Sequence, residues 1–156
     1  MAKNALTMSV SVSGVRETVR AFDKLPRDAR EEIVDANYKI AASFTSRLRF
    51  SAATLGGQGP LLGSTVEAVR DRRVPVIQAG GARPVGSRRK PAYKLLFGFE
   101  FGSDRYRQFR RHLGGGGSYW LFKTVFENQD EMMRKWMKAA DRIIAKWSKN
   151  DVGRRA

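Results

Sequence analysis

Leu6 to Ser13 alternate as Leu-Thr-Met-Ser-Val-Ser-Val-Ser, with Leu6, Met8, Val10 and Val12 on one side, until Gly14 breaks the pattern. A period of two predicts a half-buried strand. From Val15 the period lengthens. Val15, Val19 and Phe22 share one helical face, and beyond Pro26 the positions Ala29, Ile33, Ala36, Ile40, Phe44 and Leu48 continue at spacings of three or four. This predicts a short helix, a break at Leu25-Pro26 and a long helix to about Phe50. Leu55 to Gly63 is rich in breakers and reads as a loop crossing the surface. Ser64–Arg70 and Val74–Ala79 carry enough β-branched residues for two strands, joined as a hairpin by Asp71-Arg72-Arg73.

Gly80 to Pro91 has little to bury and is expected to be a mobile basic loop at the sheet margin. In Tyr93 to Phe101 the residues Phe97, Phe99 and Phe101 alternate with Gly98 and Glu100, which predicts a strand with its phenylalanine face in the core. A second basic stretch, Arg105 to His112, leads through Leu113–Ser118 into Tyr119–Phe126, read as strand-like or extended. From about Asn128 to Lys149, Met132, Trp136, Ala140, Ile143 and Trp147 repeat at helical spacing, predicting an amphipathic helix whose Trp136 and Ile143 face the core. The chain is thus expected to be one α+β domain over residues 1–150, followed by a basic tail, residues 151–156, with little reason to fold.

Charge changes this picture in the middle of the chain. Of a net +15, the segment Arg70–His112 supplies +9, with twelve Lys and Arg against Asp71, Glu100 and Asp104. A local excess of this kind focuses a field on a polyanion or an acidic protein face. The candidate interface or DNA-proximal residues are Arg72, Arg73, Arg83, Arg88, Arg89, Lys90, Arg105, Arg107, Arg110 and Arg111. Nucleic-acid contact, an acidic protein neighbour and plain solubility are three readings of the same charges. No helix-turn-helix, finger or RNA-recognition pattern accompanies them.

Catalytic and cofactor chemistry has little to stand on. His112 is the single histidine and has no nucleophile or carboxylate at a recognisable spacing. Most acids lie on helices interleaved with Lys and Arg, as solvated faces do, and no zinc or calcium spacing occurs. Gly114–Gly117 is followed by Ser118-Tyr119-Trp120 rather than the Gly-Lys-Ser/Thr of a phosphate loop. No enzyme activity, metal or cofactor is expected. The lack of cysteine excludes disulfides, and no apolar run long enough to span a bilayer or to lead secretion is present, so cytoplasmic synthesis without membrane insertion is expected.

Three phrases set in this order of elements carry a family resemblance: Val12-Ser-Gly-Val-Arg-Glu-Thr-Val-Arg-Ala-Phe22, Phe97-Gly-Phe-Glu-Phe-Gly-Ser103, and Gly117-Ser-Tyr-Trp-Leu-Phe122 leading into the closing helix with Trp136 and Ala140. They resemble the head-to-tail connector proteins of long-tailed phages, in particular the neck or tail-completion proteins, with tail terminators as close relatives. The resemblance covers nearly the whole chain. It implies a small antiparallel sheet packed against a long N-terminal helix and a C-terminal helix, with long loops that order on assembly. It further implies a homo-oligomeric ring, commonly of six copies, at the neck of the virion between the head's portal and adaptor and the tail tube. Such a ring contacts neighbouring connector and tail proteins and leaves a channel in which genomic DNA can be met without sequence readout. From a different class, a sequence-independent nucleic-acid-binding protein fits the same charge.

Overall fold

The computed structural model describes residues 5–9, 20, 22–23, 25–70, 74–109 and 117–152. The expected break falls where the proline puts it. Pro26 is extended (φ −53°, ψ 157°) at the N-cap of α1, Arg27–Thr54, because a proline ring is tolerated at a helix start but not inside. Ala29, Ile33, Ile40, Phe44, Leu48 and Ala52 are all buried along α1, one stripe of a 3.6-residue period. Gly56 and Gly57 then take left-handed φ angles of 68° and 54° and end the helix.

The predicted loop over Leu55–Gly63 is only partly a loop, since a short helix α2, Gly59–Gly63, folds back on the last turn of α1. Pro60 favours that helical start. A Cβ added at Gly59 would stand 2.0 Å from the Ala52 carbonyl oxygen, so the close crossing depends on glycine.

The expected hairpin is present but short. Strand β2, Glu67–Ala68, pairs antiparallel with β3, Val76–Gly80, placing Glu67 opposite Gln78 and Ala68 opposite Ile77. Strand β1, Ala5–Ser9, adds to the other edge of β3, Ala5 opposite Gly80 and Ser9 opposite Val76, giving the order β1-β3-β2. The expected continuation of the alternating strand over residues 10–13 and the expected turn at 71–73 lie outside the described residues.

Three expectations are corrected downstream. Gly80–Pro91 is not a structureless loop: β4, Pro84–Val85, and β5, Lys90–Pro91, form a second small antiparallel ladder. Tyr93–Phe101 is not a strand but lies within helix α3, Ala92–Phe101. Its buried residues are Ala92, Leu96 and Glu100, a spacing of four that the run of phenylalanines masks. Phe97 consequently leaves the core at 45% exposure, and Phe99 and Phe101 are only partly buried. Finally, Tyr119–Phe126 is helical from Trp120, the start of α4, Trp120–Val152, which also takes up the first two residues of the expected tail.

Helices α1 and α4 run antiparallel. Arg47 lies beside Glu131, Ser51 beside Thr124, and Glu32 beside Lys146 and Trp147. The core between them holds Phe44, Leu48, Trp120, Leu121, Trp136 and Ile143, and continues through Leu62 of α2, Ile77 of β3 and Leu96 of α3. The architecture is α+β, a small antiparallel sheet with a long N-terminal helix and a C-terminal helix. Trp136 and Ile143 are core residues as expected, 4% and 1% exposed.

Candidate functional site

Two surfaces stand out, one cationic and one aromatic, and α3 connects them. The β4–β5 ladder pairs Val85 with Lys90, leaving Gly86–Arg89 as a four-residue turn. Gly86 (φ 69°) and Arg89 (φ 46°) are both left-handed, and the Arg89 N–H donates to the Gly86 carbonyl at 3.1 Å. Val85 is buried, and a Cβ at Gly86 would touch Leu61 Cδ1 of α2 at 3.4 Å, so the hairpin lies on the body of the molecule. Ser87, Arg88, Arg89 and Lys90 are exposed. Arg83 at its base donates to the Ser64 carbonyl at 3.2 Å.

Of the sequence-predicted basic residues, the structure thus brings Arg83, Arg88, Arg89 and Lys90 together on one hairpin. Arg105 and Arg107 are exposed beyond the C-terminus of α3, Arg105 over the Tyr106 ring at 5.5 Å. Arg72, Arg73, Arg110, Arg111 and His112 lie outside the described residues. Between Asp71 and Glu100 the sequence holds no acid, and among the described residues Arg88, Arg89 and Lys90 make no ion pair.

The aromatic surface begins on α3. Phe97 and Phe101, one turn apart, stack with ring centroids 6.2 Å apart. Phe101 also meets Tyr119 edge-on at 6.0 Å and Phe122 at 5.7 Å. Phe126 and Met137 follow on the same side of α4, at helical spacings from Phe122 through the half-buried Gln129 and Met133. Phe97, Tyr119, Phe122, Phe126 and Met137 are 45%, 43%, 41%, 72% and 42% exposed.

Glu100 locks the two helices that carry this strip. It is fully buried, and its carboxylate accepts the backbone N–H groups of Leu121 at 3.2 Å and Phe122 at 3.0 Å. It therefore caps the N-terminus of α4 from another element, and the Tyr119 N–H returns to the Glu100 carbonyl at 3.0 Å. Burial pushes the Glu100 carboxyl above its ordinary range, opposed by the N–H groups of Phe122, Leu121 and Trp120. Sequence reasoning placed Glu100 on a strand face and missed this role. The available signal was the helical spacing Ala92–Leu96–Glu100.

Beside this junction a cleft of about 210 Å³ is lined by Gly56, Gln58, Phe99, Phe109 and Ser118 among others, with no ionisable side chain in its walls. Among the described residues there is no group of three His, Asp or Glu able to hold a metal ion, and no helix long and apolar enough to cross a membrane. No family model matches the chain, and neither a curated protein nor a solved structure matches it.

Proposed function

We infer that this chain is a structural virion protein of a tailed phage, a subunit of a ring at the neck that joins the DNA-filled head to the tail tube and leaves a channel for the genome. The observation that carries this reading is the uncovered aromatic strip from Phe97 to Phe126. At the exposures above, Phe97, Tyr119, Phe122, Phe126 and the adjoining Met137 present roughly 490 Å² of largely apolar surface, taking about 200 Å² per fully exposed large side chain. That is the size of the largest patch on many monomers and of the apolar centre of an interface that buries about 800 Å² per partner. The strip is also anchored at its middle by a buried cap, so it is presented as a fixed shape rather than a mobile loop.

The three sequence phrases that resemble connector proteins support the same assignment, and two of them, Phe97–Ser103 and Gly117–Phe122, supply Phe97, Phe101, Tyr119 and Phe122 of the strip. A ring needs a heterologous contact repeated around an axis, and a stiff aromatic edge suits one side of it. Negative-stain images of the purified protein are the direct test. Closed rings with an open centre are expected. Isolated monomers or closed dimers at every protein concentration tried would refute the assignment.

A further inference from the structure

We propose that the β4–β5 hairpin is a phosphate-backbone contact for duplex DNA, a function separate from the aromatic strip and resting on the connector reading only for the source of that DNA. The two surfaces differ in the chemistry they offer. Protein interfaces are anchored by buried aromatic or aliphatic side chains, with charge at the rim. The turn of the hairpin has no such anchor: Ser87, Arg88, Arg89 and Lys90 face solvent, Val85 is turned inward, and the exposed Pro84 and half-buried Pro91 pair at its base, away from the turn. What remains is an array of neighbouring cations, which serves a polyanion read by charge alone.

The setting reinforces the charge instead of neutralising it. Among the described residues no carboxylate pairs with Arg88, Arg89 or Lys90. The hairpin leads straight into α3, whose first turn holds Lys94 and no acid. A helix N-terminus ordinarily recruits acidic side chains, so cations there cost stability and add to the positive field of the hairpin. The outer face of α4 is a useful contrast, because Arg134, Lys138 and Arg142 are also exposed but share their helix with Glu127, Asp130, Glu131 and Asp141.

The experiment measures binding of the full chain to short duplexes of two unrelated sequences by fluorescence anisotropy, across a series of salt concentrations. It compares wild type, the triple variant Arg88→Gln, Arg89→Gln, Lys90→Gln, and the equal-charge control Arg134→Gln, Lys138→Gln, Arg142→Gln. Three phosphate contacts correspond to a loss of about 2.7 from the slope of log K against log salt, or about 40-fold less affinity lost between 50 and 200 mM salt. That change is expected for the hairpin variant alone, equally on both sequences. Equal slopes for the two variants, or no duplex binding by wild type at low salt, would overturn the proposal. Displacement of the duplex by polyglutamate at matched charge would do so as well, in favour of an acidic protein face. Images of the hairpin variant separate the two readings: rings that no longer bind DNA through the hairpin retain the connector assignment, whereas hairpin-dependent DNA binding without rings leaves this proposal standing and removes that assignment.

Discussion

Replacing Glu100 by alanine should destabilise the protein by about 3 kcal/mol, because it strips two or more backbone N–H groups at the start of α4 of their acceptor in a place water does not reach. Leu121 and Trp120 are 1% and 2% exposed, so the freed donors have no solvent to turn to. Each buried donor left unsatisfied costs about 1–3 kcal/mol, and a lost N-cap about 1 kcal/mol, two views of the same interaction. For a chain of this length 3 kcal/mol corresponds to a fall of roughly 6–12 °C in Tm. Glu100→Gln should cost far less, about 1 kcal/mol, since the amide retains one acceptor oxygen and removes a desolvated charge. The folded-state pKa of Glu100 is raised, so its favourable contribution is complete below the unfolded value and declines as pH rises through the folded one. Wild type should therefore lose stability relative to Glu100→Gln on going up in pH from about 4.5, the ordinary glutamate value. Urea titrations followed by tryptophan fluorescence give both quantities. An alanine variant within 1 kcal/mol of wild type would refute the buried-cap argument.

Gly59→Ala forces a Cβ into the Ala52 carbonyl at 2.0 Å, and should lower stability by about 2 kcal/mol as α2 is pushed from α1, read from the urea midpoint. Ile143→Ala should cost about 2–4 kcal/mol from the centre of the core, whereas Phe97→Asp should leave the urea midpoint nearly unchanged, since the side chain is 45% exposed. The Arg47 guanidinium, with Lys135 beside it, holds the Glu131 carboxyl down at about 2. Its stabilising contribution is present above 4.5 and is lost as pH falls toward 2, so Arg47→Met should flatten the pH dependence of the urea midpoint in that window.

The elements that could be read from the sequence are those whose burial follows a local period. α1 and the body of α4 bury one stripe each, and Pro26 marks its boundary by covalent geometry alone. The misread elements depend on partners distant in sequence. α3 looks like a strand because Phe97, Phe99 and Phe101 alternate, yet its orientation is decided by Glu100 reaching the backbone of residues 121 and 122. The same contact lets the helix start at Trp120, by supplying from α3 the cap that its own sequence lacks. The basic hairpin was legible as charge but not as structure, because its anchor is Val85 and the proximity of Gly86 to Leu61, a contact no periodicity announces. The aromatic strip was hidden for a related reason: a strand over Tyr93–Phe101 would have buried Phe97 and Phe101, and an extended Tyr119–Phe126 would not have set Phe122 and Phe126 on one helical face.

The central claim is that this strip builds the assembly, and light scattering on wild type and the double variant Phe122→Ser, Phe126→Ser at matched concentration tests it most directly. Wild type is expected at a multiple of 17.5 kDa, about 105 kDa for six copies, and the folded variant at 17.5 kDa. Identical masses for the two proteins would contradict the account.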